Sequence, residues 1–81
     1  MMHPEQIKQL ILAGMDCEHL AIDGDGRHFQ AIVVSREFEG KNRVQRQQRV
    51  LQTLKAKLDT GELHALSFKT LTPEEWSAQR G

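Results

Sequence analysis

Four histidines and one cysteine are the residues of this chain whose types suit nucleophilic or metal chemistry. Cys17 and His19 stand close together, and a thiol beside an imidazole is the minimum of a nucleophilic pair. Neighbours this near in an extended segment meet poorly, and no third group is placed to orient the imidazole. Cys17 therefore reads as an incidental surface or half-buried thiol. His3 is terminal and expected in solvent, and His19 sits at the entry to a strand. His28 closes a turn and His64 opens a later strand, positions from which a side chain reaches solvent or a partner. A neutral imidazole there is a ready metal ligand. Two histidines do not fill a four-coordinate site, so any metal would be shared with another molecule. By strict alternation His64 also shares a face with Leu66 and Phe68, which speaks for a structural role.

A second group is cationic. Arg43, Arg46 and Arg49 recur at intervals of three, with Lys57 on the same side of a helix. At 100° per residue they fall opposite a Val44–Leu58 apolar face. Most charged helix faces are simply solvated; the sharper reading is a patch for phosphates or for an acidic partner. No aromatic residue is interleaved with these cations, so stacking on single-stranded bases has little support. Phosphate-loop, Rossmann-glycine and zinc-finger spacings do not occur. Reactive groups that converge are too few for an enzyme, and the chain is expected to work by binding.

The elements that must position these residues follow from local pattern. The 81 residues allow one domain, 1–81, with one modest core. Pro4 and Glu5 begin a helix, Ile7, Leu10 and Ile11 form its buried stripe, and Gly14 ends it. Leu20 and Ile22 alternate with Ala21 and Asp23 as a short strand. Asp23-Gly24-Asp25-Gly26 is turn chemistry, and a strand from His28 to about Arg36 completes a hairpin. Asn42 caps a second helix over 43–59, with Gln45 as its capping-box partner and Val44, Leu51, Leu54 and Leu58 on its buried face. His64 to Leu71 reads as a third strand. Thr72, Pro73 and Glu75 start a last helix that carries Trp76. The expected fold is α+β, in the order α-β-β-α-β-α, with a three-stranded sheet covered by helices.

Composition narrows the class of function. Lys plus Arg equal Asp plus Glu at 11 each, and a zero net charge argues against a dedicated sequence-independent nucleic-acid binder. One cysteine excludes an internal disulfide, and a reducing compartment is the simpler setting. No apolar run approaches a membrane span and no secretory signal is visible, so a cytoplasmic location is expected.

Three segments carry a resemblance. Gly24-Asp25-Gly26-Arg27-His28-Phe29-Gln30, then Phe38-Glu39-Gly40-Lys41-Asn42-Arg43-Val44, then the run from His64 through Thr72-Pro73-Glu74-Glu75-Trp76, are similar to the BolA family over nearly the whole chain. Gln47-Gln48, where BolA itself typically has a histidine-arginine pair, resembles the IbaG-like branch. The resemblance implies a type II KH-like fold and a heterodimer with a monothiol, CGFS-type glutaredoxin. It implies a bridging [2Fe–2S] cluster, to which the glutaredoxin brings its cysteine and a bound glutathione, and none tightly bound by this chain alone. His64 matches the family's C-terminal ligand histidine and His28 its second ligand position. Imidazole in place of thiolate would raise the cluster's potential and make its binding sensitive to pH. The resemblance also implies a stress- and morphology-linked transcriptional regulator, whose DNA contact would have to rest on the cationic face of Arg43, Arg46, Arg49 and Lys57. Gly40-Lys41-Asn42-Arg43 lacks the second glycine of a KH backbone clamp. The partners admitted are a monothiol glutaredoxin, DNA and a second copy of the chain, and no membrane.

Overall fold

Local signals set most of the element ends. The computed structural model describes residues 2–25, 28–63 and 65–80. Pro4 opens α1 (Pro4–Gly14), and the Gln6 side chain accepts the His3 backbone N–H at 2.8 Å. Ile7 and Ile11 are fully buried, one turn apart on the same face. The chain then forms the hairpin β1 (His19–Gly24) and β2 (His28–Val34), antiparallel from His19 opposite Val34 to Gly24 opposite Phe29. Within that hairpin, a Cβ at Gly24 would lie 2.5 Å from the His28 carbonyl oxygen, so only glycine permits this approach.

β2 was expected to run to about Arg36, and it ends at Val34. The Ser35 hydroxyl accepts the Glu37 N–H at 3.0 Å and turns the chain into a short 3₁₀ segment, Arg36–Phe38. Asn42 and Gln45 then form the expected reciprocal cap, with bonds of 2.9 and 3.0 Å, at the start of α2 (Arg43–Thr53).

The single helix expected over 43–59 is divided at Leu54 into α2 and α3 (Lys55–Asp59). The Thr53 hydroxyl donates to the Val50 carbonyl at 2.6 Å, and that carbonyl is the helical acceptor for the Leu54 N–H. Leu54 instead donates to Leu51, three residues back, at 3.0 Å. The buried face is the expected one at Leu54, 1% exposed, and at Leu58, which packs against the core, but it differs at the start of the helix: Val44 is 61% exposed and Val50 is 0% exposed. Gly61, at φ +78°, ends α3 in a conformation that favours glycine.

β3 (Ala65–Leu71) pairs parallel to β2, with His28 opposite Ala65 and Val34 opposite Leu71. Parallel pairing needs a crossover, which α2 and α3 supply. The sheet order is β1-β2-β3, with β2 in the centre. One face carries Leu20, Phe29, Ala31 and Val33 into a core shared with α1, Phe38, Val50, Leu54 and Leu63. The other face is open except at one end, where α4 (Pro73–Arg80) returns and Trp76 stacks on His19 at 4.6 Å. Thr72 and Glu75 make the cap expected there, at 2.8 and 3.2 Å. The architecture is the expected α+β sheet covered by helices.

One substitution at two positions tests which valine the core buries. Val50→Ala is expected to cost about 2 kcal/mol, from two buried methyls plus the void they leave. Val44→Ala is expected to stay within ~0.5 kcal/mol. Urea unfolding of both variants measures the contrast, and equal losses would restore Val44 to the core.

Candidate functional site

The turn between β1 and β2 presents His28. Its backbone N–H donates to Asp25 Oδ1 at 2.8 Å, and its carbonyl accepts the Asp25 N–H at 3.3 Å. These bonds hold the backbone of a residue whose side chain is exposed. In the sheet, His28 stands opposite Ala65, the residue that follows His64 in the chain. His64 itself lies outside the described residues. The described register therefore places only His28, at the first residue of β2.

Among the described residues, no three His, Cys, Asp or Glu side chains gather as a metal site. An exposed imidazole on a fixed turn suits a ligand that completes a site on another molecule. Cys17 does not suit that role. It is half-buried against the core, and burial, then the carboxylates Glu18, Glu37 and Asp16, push its thiol up to about 11. The thiolate needed for metal binding or attack is scarce at neutral pH. Nor does Cys17 pair with His19, whose ring lies against Trp76 with planes 16° apart.

The four cations of the helix-two reading are placed differently from one another. Arg43 is exposed at the start of α2. Arg46 is only 14% exposed in its side chain and bonds Glu75 Oε1 at 2.7 Å. Its Nε donates to the Lys41 carbonyl at 2.9 Å and its Nη1 to the Thr70 carbonyl at 3.3 Å. The same guanidinium lies 5.9 Å from the centre of the Phe38 ring. Arg49 Nε pairs with Glu37 Oε1 at 3.0 Å, and Nη2 donates to the Gly14 carbonyl at 2.9 Å. Lys57 pairs with Glu62 at 3.3 Å. The four do not form one open face. The exposed cations near the start of α2 are Arg43 and, across a groove, Lys69 of β3, with half-exposed Lys41 beside them. Lys41 and Lys69 were not singled out from the sequence, because the groove that joins them to Arg43 is tertiary.

The BolA-like protein family profile matches residues 11–75. The chain belongs to the BolA family. Its IbaG-like character rests on the acid stress protein IbaG of Escherichia coli K12, 34% identical over 98% of this chain and 94% of that protein. The Haemophilus influenzae protein named DNA-binding transcriptional regulator BolA is 41% identical over 75% of this chain and 58% of its own length. A solved structure of a BolA homologue from Coxiella burnetii superposes with a TM-score of 0.85, at 36% identity over 95% of this chain and 99% of that one. The BolA fold thus accounts for the sheet, its helical cover and the hairpin that carries His28. No helix among the described residues is long and apolar enough to cross a membrane.

Two carboxylates of this BolA chain tie acid to stability. Glu37 lies below the usual carboxylate range, chiefly because it accepts the Asp16 N–H and then because of Arg49. Glu75 does so chiefly through Arg46, then through the Thr72 N–H. Lowered folded-state values mean that both stabilise above the ordinary carboxylate range, near about 4.3, and cease to as pH falls through the lowered values. The urea midpoint is expected to drop below about pH 4.3. Replacing both by Gln should lower the midpoint at neutral pH and flatten the acid decline. An unchanged acid slope would assign the loss to other groups.

Proposed function

We propose that this BolA-family protein is a non-enzymatic accessory that pairs with a monothiol glutaredoxin and contributes His28 and His64 to a shared [2Fe–2S] cluster. The observation that carries this reading is the exposed imidazole of His28, on a turn fixed by Asp25 and in register with Ala65, next to His64 in sequence. The resemblance of the hairpin and of the His64 segment to the family's ligand positions supplies the chemistry. The cluster, when bound, would bring electron-accepting iron; this chain would offer the exposed imidazole of His28 at the start of β2, joined on the resemblance by His64, and would leave the thiolates to the partner. The high thiol value of Cys17 is consistent with that division. The reading places the protein in iron–sulfur and iron homeostasis and in the stress response.

A second reading is a DNA-binding regulator of stress and morphology. It is favoured by the relative that bears that name, and by the exposed cations at the start of α2. Arg46, Arg49 and Lys57 are each paired with a carboxylate, so contact would begin with Arg43, Lys41 and Lys69.

Adding the protein to a cluster-loaded monothiol glutaredoxin with glutathione should alter the visible absorption and circular dichroism. His64→Ala should remove most of the change and His28→Ala part of it. An unaltered spectrum with the unsubstituted protein would sink the first reading. For the second, affinity for duplex DNA should fall with salt at a logarithmic slope of about −0.9 per phosphate contacted. Arg43→Ala should reduce that slope, and absence of binding at low salt would remove direct DNA recognition.

A further inference from the structure

The outer edge of β3 combines unpaired backbone with a local excess of positive charge. β3 flanks the sheet, so one row of its N–H and C=O groups faces away from β2. Two bonds show which row. The Leu71 carbonyl accepts the Ser35 N–H at 3.0 Å, next to the end of β2, and so points inward. The Thr70 carbonyl accepts Arg46 Nη1 at 3.3 Å and so points outward. Alternation then turns the backbone groups of Phe68 and Leu66 outward with those of Thr70. Arg46 occupies one carbonyl of this row. Among the described residues, no group beyond the sheet bonds the amides of Phe68 and Thr70.

Beside this edge runs a groove of about 480 Å³, between the start of α2, β3 and α4. Four cations line it, Lys41, Arg43, Arg46 and Lys69, against one carboxylate, Glu75. That carboxylate is paired with Arg46. Lys41, Arg43 and Lys69 form no salt bridge among the described residues. The whole chain has no net charge, so this excess is local.

We propose that the β3 edge is a docking site for an extended, acidic segment of a partner protein, which adds to the sheet beyond β3. Such a segment pairs its backbone with the outward row, while its side chains select for charge. Lys69 lies on the sheet face opposite to Phe68, whereas Lys41 and Arg43 lie on the α2 side, so acids on either face of the added strand meet a cation. A second copy is a poor occupant, because edge pairing would bring Lys69 towards Lys69. A nucleic acid would satisfy the cations but not the alternating carbonyl row, and the aromatic ring in the groove, Phe68, packs against the core rather than offering a free stacking face. The site is separate from the histidine end: Phe68 to Thr70 lie three to five residues from Ala65, about 10–17 Å along the strand. The inference is therefore independent of the cluster reading.

The test uses the full chain labelled with 15N and an end-blocked hexapeptide of alternating Asp and Val. At low salt the peptide should shift the amides of residues 66–70 and of Arg43, and slow hydrogen exchange at Phe68 and Thr70. Methylating alternate peptide nitrogens should weaken binding by about tenfold, since it removes the backbone pairing and keeps the charge. Lys69→Glu should weaken it comparably, and the Lys-Val counterpart should not bind. The proposal is overturned if the acidic peptide leaves these amides unmoved. It is also overturned if the methylated peptide binds equally well, which would make the groove a simple anion sink. Tighter binding of an oligonucleotide of equal charge at the same amides would reassign the surface to nucleic acid.

Discussion

The Arg46 guanidinium touches the loop before α2 through the Lys41 carbonyl, the edge of β3 through the Thr70 carbonyl, and α4 through Glu75. The start of α2 and the β3–α4 junction, 24 to 29 residues away, meet at one planar cation. Its side chain is largely out of water, so these charge-assisted bonds are worth more than an exposed ion pair. Glu75 is fixed in turn, because the same oxygen accepts the Thr72 N–H and caps α4. The junction thus ties the start of α4 to α2 and occupies one outward carbonyl of β3. Arg49 makes a second junction of the same kind, joining α2 to Glu37 and to the end of α1.

These junctions lie at one end of the sheet, and His28 lies at the other. β2 and β3 run parallel, so the end where both begin is separated from the end where both finish by the length of the strands. The beginning carries the exposed imidazole of His28, the first residue of β2. The finish carries cations, an α-helical start and an open backbone edge. A small domain thereby has two chemically distinct ends of one sheet, one with an exposed imidazole and one with a local excess of cations.

Much of this was legible in the sequence where the determinant is local. The caps of α2 and α4 were readable because Asn42 with Gln45, and Thr72 with Glu75, act within three residues. The hairpin was readable from its glycines and aspartates. The buried face of this segment was readable only in part: Leu54 and Leu58 pack as their stripe suggests, but the packing buries Val50 and leaves Val44 in solvent. The break at Leu54 coincides with a Thr53 hydroxyl hydrogen bond to the Val50 carbonyl, which no periodicity records. The arginines looked like one open face because the carboxylates that engage Arg46 and Arg49 lie 29 and 12 residues away. Of the proposed metal ligands, His28 falls at an exposed turn as expected, while His64 lies outside the described residues.

Trp76 is the chain's only tryptophan, and there is no tyrosine. The near-ultraviolet signal of the protein therefore comes almost entirely from one indole. That ring stacks with the imidazole of His19, at 4.6 Å, and lies 5.6 Å from the guanidinium of Arg80. Its emission is an internal gauge of whether α4 is seated on β1. The fold thus comes with its own optical reporter, on the face of the sheet opposite the hydrophobic core.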